Sequence, residues 1–427
     1  MMPRGASVLC LLGILASGWL LSTSPLPAQK QADSRTAEDT EADAVRLQLS
    51  RLQRYSVRVS YNLRTYSGGS YEGLLHREVR GRVSPAEDGA AERGAPSLNA
   101  SYFVLQETYR QKRNAAKEVQ TRYRTRLEPQ GDGSVSVEED APLPRRRNFP
   151  ASPPEAVRRG DTWSAPAELV LDPLWSGNLH YVRIEPEYRF NGREQYKGTA
   201  VYRVTARYGF RYRPETQHDT AGDEHSEAAR LVKSTGSHTS VILIEVESGQ
   251  PVLIRDRIEE RHRFAERPGQ RFEGFALTWY TEPPPFDATR VARSIEERLA
   301  EDSVADVQVS STEEGVRIRL DGVHFVADEA TILPEERPRL DALAATLRDY
   351  PQRDFLVVGH TADVGKPAGQ KRLSVERAKT VVRELSRRGL PRDRFLYEGR
   401  GGTDPIADNE TAAGRAKNRR VELFVLE

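Results

Sequence analysis

The spacing of apolar residues changes near residue 283, and this change limits the possible folds more than any other feature. From Tyr55 to residue 282, several short runs alternate apolar and polar side chains, as half-buried strands do. Between Ala200 and Tyr212 every even-numbered residue is apolar or aromatic, while three arginines lie on the opposite face. Because no helical pattern separates these runs, we predict an antiparallel β-rich region over residues 55–282.

Two segments lack the alternating pattern. Residues 129–160 are rich in Pro, Gly and charge, which predicts an extended excursion. The run Arg145-Arg146-Arg147 within it is interpreted as a solvated loop. Residues 29–54 begin with a polar stretch, which predicts a flexible N-terminus, and a short helix is predicted for residues 44–52.

After Pro283-Pro284-Pro285 the pattern alternates between helix and strand. Residues 283–287 are predicted to form a linker, and Asp287 is the predicted N-cap of a helix over residues 288–301. The elements predicted next are strand 316–320, helix 334–350, strand 355–358, helix 374–388, strand 394–397 and strand 420–426. This β-α-β-α-β-β order predicts helices packed on a mixed sheet, so we expect an α+β multidomain protein.

Residues 1–28 have the features of a signal peptide. Arg4 precedes an apolar run from Ala6 to Leu21, and small residues near Ala28 would permit cleavage. An uncleaved membrane anchor is the alternative, but the run is shorter than the roughly 20 apolar residues that a spanning helix needs. The single Cys, Cys10, lies in this run, so the exported chain would hold no thiol for a disulfide, a nucleophile or a metal site.

Charge and histidine content argue against several classes of function. Lys plus Arg (64) and Asp plus Glu (63) nearly cancel, so no overall field directs the chain to nucleic acid. His218 and His225 share a polar loop but lack the spacing of a helical metal site, and His262 is interpreted as part of a charged strand face. His360 is predicted to be a hydrogen-bonding residue at a strand end. Because no acid–base pair or nucleophile is recognisable, we predict a non-enzymatic protein without metal or cofactor.

Four segments in the C-terminal part of the chain occur in a characteristic order. They are HFVADEA at residues 324–330, GHTADVG at 359–365, LSVERA at 373–378 and GRAKNRRVE at 414–422. Together they resemble the OmpA-like domain, a periplasmic module that holds peptidoglycan non-covalently. The resemblance covers residues 288–427, whereas residues 55–282 match no recognised family. It implies a structural protein of the cell envelope, exported to the periplasm and associated with the outer membrane. Other envelope or outer-membrane proteins are candidate partners of the β-rich region, which the resemblance does not cover.

The resemblance also implies a ligand site. In the family, a carboxylate after GHT binds the ammonium of the peptidoglycan peptide, and the Arg of LSxxRA binds its carboxylate. Here Ala362 occupies the first position and Arg377 the second, and Asp363 follows one residue later. Val364 and Gln370 replace residues that are commonly Thr and Asn. The predicted ligand-binding residues are Arg377, Arg419, Asp328, Asp363 and Gln370, with Ala362 and Val364 as altered family positions.

The missing carboxylate leaves three interpretations of function. A charge-assisted hydrogen bond contributes about 1.5–3 kcal/mol, so a diaminopimelate-type ligand would bind roughly ten- to hundredfold more weakly. The domain either binds a peptidoglycan with another diamino acid, such as ornithine, through Asp363 or Asp328, or retains the fold without the ligand. The third interpretation is an outer-membrane β-barrel with a periplasmic anchor domain, although charges on both faces of residues 252–260 disfavour it.

Overall fold

The structure is a computed structural model, and its described residues lie within the unit Asp43–Glu427. The described residues are 44–49, 54–86, 97–105, 115–130, 134–138, 140–214, 227–320, 325–326 and 329–427. The predicted signal peptide, Asp328, and the loop that contains His218 and His225 lie outside these ranges.

Fourteen strands lie within the described part of the β-rich region. They are β1 (Tyr55–Ser67), β2 (Ser70–Pro85), β3 (Leu98–Leu105), β4 (Lys117–Pro129), β5 (Val135–Val137), β6 (Arg146–Arg147), β7 (Thr162–Ser164), β8 (Ala167–Leu171), β9 (His180–Ile184), β10 (Glu187–Tyr196), β11 (Thr199–Tyr212), β12 (Leu231–Glu245), β13 (Pro251–Phe264) and β14 (Gln270–Thr281). The alternating run from Ala200 to Tyr212 corresponds to β11.

The main sheet brings the first and last strands of this region together. Its strands follow the order β4-β3-β2-β1-β14-β13-β12-β11-β10-β7, and neighbouring strands are antiparallel. Tyr61 of β1 stands opposite Ala276 of β14. The chain therefore returns to its starting strand before it enters the segment 283–287.

The alternation of side chains along β13 places charged residues on the inward face of the sheet. Its even-numbered residues from Ile254 to His262 are buried, whereas the odd-numbered residues from Arg255 to Arg263 are exposed. Asp256, Glu260 and His262 therefore lie in the interior with the isoleucines. His262 lies on a charged strand face, as interpreted from the sequence, but this face points inward, because a side chain an even number of residues from Ile254 shares its face.

The described residues between 129 and 160 fold back over the inward face instead of forming an extended excursion. Strand β5 pairs with β4, and β6 joins β8 and β9 in a three-stranded sheet in the order β6-β8-β9. Leu169 and Leu171 of this small sheet pack against Tyr208 and Phe210 of β11. Burial of these apolar side chains between the two sheets thus offsets the conformational entropy that is lost when the Pro-rich segment is ordered.

The three consecutive arginines of this segment are also internal rather than solvated. Arg147 is buried, donates hydrogen bonds to the carbonyls of Glu138 and Ala141, and pairs with Glu168 at 3.0 Å. Arg146 pairs with Asp256 across the interior at 3.4 Å. A run of three like charges is normally a solvated surface feature, but acceptors from other parts of the chain contact each of these arginines, and Arg145 Nη2 and Arg147 Nε are left without a partner among the described residues.

The N-terminal residues 44–49 are extended, so the short helix predicted for residues 44–52 is not formed there. Val45 forms an isolated antiparallel bridge with Val157, with N–O distances of 2.8 and 2.9 Å in the two directions. Leu47 is buried in the cluster that contains Tyr188 and Ile242. Tertiary pairing therefore overrides the weak local helix propensity of this stretch.

The C-terminal part contains helices and strands in alternation. They are α1 (Ala288–Glu301), β15 (Val307–Thr312), β16 (Gly315–Leu320), α2 (Arg337–Arg348), β17 (Phe355–His360), α3 (Pro367–Arg387), β18 (Phe395–Gly401), α4 (Ala412–Asn418) and β19 (Val421–Leu426). The predicted cap of α1 is confirmed, because the Asp287 carboxylate accepts from the backbone N–H of Arg290 at 2.9 Å. None of the helices in the described ranges has the length and apolar character needed to cross a lipid bilayer.

The three largest differences from the predicted elements are one early helix start and two elements that were not predicted. Helix α3 begins at Pro367, seven residues before the predicted start at Ser374, because proline is favoured in the first turn of a helix. Strand β15 and helix α4 were not predicted. Helix α4 begins where the Thr411 hydroxyl accepts from the N–H of Gly414, so part of the GRAKNRRVE segment is helical.

The strands of this part form a mixed sheet in the order β15-β16-β19-β17-β18. Strands β17 and β18 are parallel and the other neighbours are antiparallel. The predicted helix faces are buried: Leu343 and Leu347 of α2 and Val381 and Leu385 of α3 share a core with Ile295 of α1. Helices thus cover one face of the sheet.

The other face of this sheet packs against the β-rich region. Strand β18 pairs in parallel with β4, which joins both regions into one continuous sheet. The apolar cluster at this junction consists of Phe103, Leu105, Val119, Leu356, Val358, Leu396, Phe424 and Leu426. We call it the junction cluster. Arg122 of β4 reinforces it by donating two hydrogen bonds, of 2.9 and 2.7 Å, to the Glu398 carboxylate.

Candidate functional site

The loop after β17 and the first half of α3 carry most of the predicted site residues. Gln370, Ser374 and Arg377 are four and three residues apart, so they lie along one side of α3, and all three are buried. The Ser374 hydroxyl accepts from the N–H of Gly401 at 2.9 Å and donates to the carbonyl of Lys371 at 2.8 Å. These contacts hold α3 against the end of β18.

Ala362 is buried at the position where the family resemblance implies a carboxylate. The next residue, Asp363, is exposed and bends back toward α3: one of its carboxylate oxygens accepts from Nε2 of Gln370 at 3.0 Å. The Asp363 N–H donates to the side-chain oxygen of Asn409 at 3.1 Å. The loop therefore presents a carboxylate one residue later than the family pattern, anchored at both its backbone and its side chain.

Gln370 connects this loop to the sheet. Its Nε2 also donates to the Gly365 carbonyl at 3.2 Å, and its Oε1 accepts from the Gly402 N–H at 3.2 Å. The family resemblance predicted Gln370 as a ligand contact. Its amide is engaged with Asp363, Gly365 and Gly402, so within the described chain it acts as the support of the loop.

Arg377 is buried two helical turns beyond Gln370. Its Nε donates to the Glu329 carbonyl at 3.1 Å, and its guanidinium carbon lies 4.9 Å from the ring centre of Phe325. Phe325 belongs to the HFVADEA segment. The described residues thus bring three of the four family segments together around α3, while Asp328 lies outside them.

The remaining predicted residues take different positions. Arg419 is exposed, and its backbone N–H closes α4 on the Arg415 carbonyl at 3.2 Å. Its neighbour Arg420 is buried, pairs with Glu422 at 2.8 Å and donates to the Asp404 carbonyl at 3.1 Å. Val364 is 63% exposed, an apolar side chain at the rim of the loop.

His360 does not make the side-chain hydrogen bond that was predicted for it. It is buried, and neither ring nitrogen has a hydrogen-bond partner; Nε2 lies 3.8 Å from the Glu422 carboxylate. Burial, with Arg420 and Arg400 nearby, lowers the pKa of His360 to about 3, so the ring is neutral at pH 7. Only its backbone is bonded, through the N–H to the Arg420 carbonyl at 3.0 Å.

A groove of about 550 Å³ lies beside Arg377, between α3 and residues 329–331. Four charged side chains that were not predicted as site residues line this groove: Glu329, Arg372, Glu376 and Arg383. Arg372 and Glu376 are four residues apart, and this spacing in the sequence indicates that the two charges are neighbours on one face of α3. The groove can take a ligand that carries both charges.

No group of three or more His, Asp or Glu side chains in the described ranges is arranged to hold a metal ion. The loop with His218 and His225 is not among those ranges.

Comparison with known proteins finds similarity in the C-terminal part. A sequence profile of the OmpA family matches residues 324–419. The chain is 39% identical over 102 residues to Outer membrane protein A of Bordetella avium, which covers 24% of this chain and 53% of that protein. It is 37% identical over 103 residues to Peptidoglycan-binding protein ArfA of Mycobacterium tuberculosis (strain ATCC 25618 / H37Rv), covering 24% of this chain and 32% of that one.

Among solved structures, the cell wall anchor of the T6SS from Pseudomonas aeruginosa is 31% identical, with a TM-score of 0.29, and the match covers 33% of this chain and 100% of that one. The chain thus spans about half or less of the length of the two curated relatives named above. The β-rich region lies outside the family match. Residues 324–419 form a domain of the OmpA family.

Proposed function

We propose that this protein is a non-enzymatic component of the cell envelope whose C-terminal domain associates with the peptide of peptidoglycan, with recognition altered by Ala362. A relative of this domain bears the name peptidoglycan-binding protein, and a similar solved structure is a cell wall anchor. The observation that carries the proposal is the Asp363 carboxylate, exposed and held by Gln370 at 3.0 Å on the helix that also carries Arg377.

The ligand would be a stem peptide with a zwitterionic centre. Arg377 is the family guanidinium for the ligand carboxylate, and Asp363 is the available acceptor for its ammonium. Because Asp363 stands one residue after the family position, the ammonium it would accept lies elsewhere than in the family, and a peptide with another diamino acid, such as ornithine, is the proposed ligand. Diaminopimelate-containing peptides are expected to bind weakly.

A second candidate is a domain that keeps the fold and has lost the ligand. The contacts of Arg377 favour it: Nε donates to the Glu329 carbonyl and the guanidinium lies over Phe325. Both contacts are internal to the chain, so the residue has a structural role whether or not a ligand binds.

Calorimetric titration with a diaminopimelate-containing muropeptide separates the two. Ala362→Asp restores the family carboxylate, and a regained charge-assisted contact should strengthen binding by about ten- to hundredfold. Ala362→Asn is the matched control, because it adds the same volume at a buried position without the charge. Only the Asp variant should gain affinity, and Arg377→Ala should remove the gain.

Two results would favour loss of the ligand. One is unchanged, undetectable binding in Ala362→Asp when its thermal midpoint equals that of Ala362→Asn. The other is failure of purified sacculi from the host to retain the unaltered protein. Conversely, binding of an ornithine-containing muropeptide that Asp363→Asn abolishes would support the displaced carboxylate as the ammonium acceptor.

A further inference from the structure

The interior of the β-rich region contains two adjoining cavities, of about 280 and 110 Å³. Every second residue of β1 from Tyr55 to Leu63 lines the smaller cavity, and Tyr61, Leu63 and Thr65 line the larger one. The ten residue steps from Tyr55 to Thr65 correspond to about 33 Å along the strand. The cavities therefore follow the strand as one long and narrow space.

The smaller cavity is chiefly walled by aliphatic side chains of several strands. Val57 and Val59 of β1, Ile254 and Ile258 of β13 and Ala276 of β14 face into it. Residues 143–149 cover it from the side opposite the sheet. A volume near 110 Å³ spread along most of β1 leaves room for a thin chain but not for a ring system.

The charged groups that face this cavity are paired with one another. Asp256 accepts from His238 at 2.8 Å and from Ser240 at 2.7 Å, and it pairs with Arg146 at 3.4 Å. Glu260 contacts the ring nitrogens of His238 and His262, each at 3.2 Å. These carboxylates are thus satisfied without a ligand.

Arg145 differs from these groups. It is one of four residues that line both cavities, and its Nε donates to the Val170 carbonyl at 3.3 Å. Its Nη2 is buried and has no hydrogen-bond partner. A buried charged donor left without an acceptor is costly, so the site is complete only with an acceptor from outside the chain.

The larger cavity provides the entrance to this position. Arg77 and Arg145 lie over the Trp175 ring, at 4.0 and 5.5 Å from its centre. Arg267 and the carboxylates Glu72 and Glu260 also line this cavity, as does Oε1 of Gln270, an acceptor without a partner in the described chain. Because Glu260 is already engaged by His238 and His262, the three arginines outweigh the acidic groups beside the aromatic wall, and this part of the site favours an anionic group.

We propose that the β-rich region binds a linear aliphatic carboxylate, with the carboxylate on Arg145 and the alkyl chain in the narrow cavity along β1. The shape of the smaller cavity selects a thin apolar chain, and Nη2 of Arg145, which has no acceptor within the described ranges, selects an anionic head. This site is separate from α3 and does not depend on peptidoglycan binding.

Titration of the full chain with decanoate, decan-1-ol and acetate tests the proposal, by calorimetry and by Trp fluorescence. Decanoate should bind at one site and more tightly than either of the other two, because decan-1-ol lacks the charge and acetate lacks the chain. Arg145→Gln should weaken decanoate about ten- to hundredfold and leave decan-1-ol unchanged. Ala276→Phe, which fills the smaller cavity, should weaken both decanoate and decan-1-ol.

Arg255→Gln is the matched control, since Arg255 is exposed on the outward face of β13, and it should bind decanoate as the unaltered protein does. Absence of decanoate binding would overturn the proposal. Equal binding of acetate and decanoate would overturn the alkyl-chain assignment, and equal binding of decan-1-ol and decanoate would overturn the role of Arg145. These comparisons use the unaltered protein, so they decide the matter even if Arg145→Gln does not fold.

Discussion

The position of α3 depends on two residues that have no side chain. A Cβ atom added to Gly399 would lie 2.2 Å from the Ser374 hydroxyl oxygen, and one added to Gly359 would lie 2.2 Å from the Ser374 carbonyl oxygen. Real Cβ atoms do not approach other atoms so closely, so α3 packs on β17 and β18 at a distance that only glycine permits. Arg377 lies one turn beyond Ser374, so these glycines also determine where its guanidinium lies.

Substitution of Gly399 by Ala should therefore destabilise the protein by about 1–3 kcal/mol, the usual cost of overpacking a tight contact. Gly369→Ala is the control: Gly369 lies in the first turn of α3, and a Cβ there meets nothing within 4 Å. That change should be neutral or stabilise by up to about 1 kcal/mol, because alanine is the better helix former. Urea denaturation measures both, and equal effects of the two substitutions would contradict the role given to Gly399.

At the scale of single elements, strands β12 and β13 build a charged layer inside an otherwise apolar region. Burial by itself would lower the pKa of His238, but Asp256 and Glu260, which contact its two ring nitrogens, raise it to about 9. Arg146 also faces Asp256, and the Tyr208 ring stacks on the imidazole with centres 4.7 Å apart. His238 is therefore a buried cation at pH 7.

This pKa predicts a loss of stability at alkaline pH. The folded protein holds the His238 proton up to about pH 9, whereas the unfolded chain releases it near pH 6.5. The stabilisation is thus complete below pH 6.5 and declines as pH rises to 9, by up to about 3 kcal/mol. His238→Gln should flatten the free energy of unfolding across this window. A wild-type profile that is level from pH 6.5 to 9 would show that the proton is not held.

At the scale of the whole molecule, the junction cluster and the β4–β18 pairing unite the two regions. The helical face of the C-terminal sheet has its own core, but Leu356, Val358 and Phe424 on the other face are covered by residues of β3 and β4. Arg122 adds ion pairs across the junction to Glu398 and to Glu314, the latter at 2.8 Å. The OmpA family domain is thus completed by a surface from outside the family match.

A fragment of residues 288–427 should fold, because its helices and sheet share one core, but it should be less stable than the same residues in the full chain. Exposure of the apolar junction face would cost on the order of 5 kcal/mol. The fragment should melt at lower temperature and bind a hydrophobic dye, and near-UV circular dichroism should still show fixed aromatic packing. A molten fragment would place the domain boundary before residue 288. A fragment that melts at the same temperature as the full chain and does not bind the dye would show that the junction does not stabilise the domain.

The sequence by itself determined the local features of this protein. The apolar spacing identified α1 with its Asp287 cap, the buried faces of α2 and α3, and the antiparallel strands, because helix and strand periods depend only on neighbouring residues. Motif order identified the OmpA family segment and drew attention to Ala362 and Arg377. The ligand contacts predicted from those motifs remain predictions.

Only the tertiary structure decided which charged residues lie inside. Arg146 meets Asp256, Arg122 meets Glu398 and Gln370 meets Asp363 because the sheet and α3 bring them together, and no local pattern records such pairings. The sequence therefore predicted a solvated loop for the arginine run, because charges without partners normally lie at the surface. Burial of a charge depends on a partner that arrives from elsewhere in the chain, and only the fold supplies that partner.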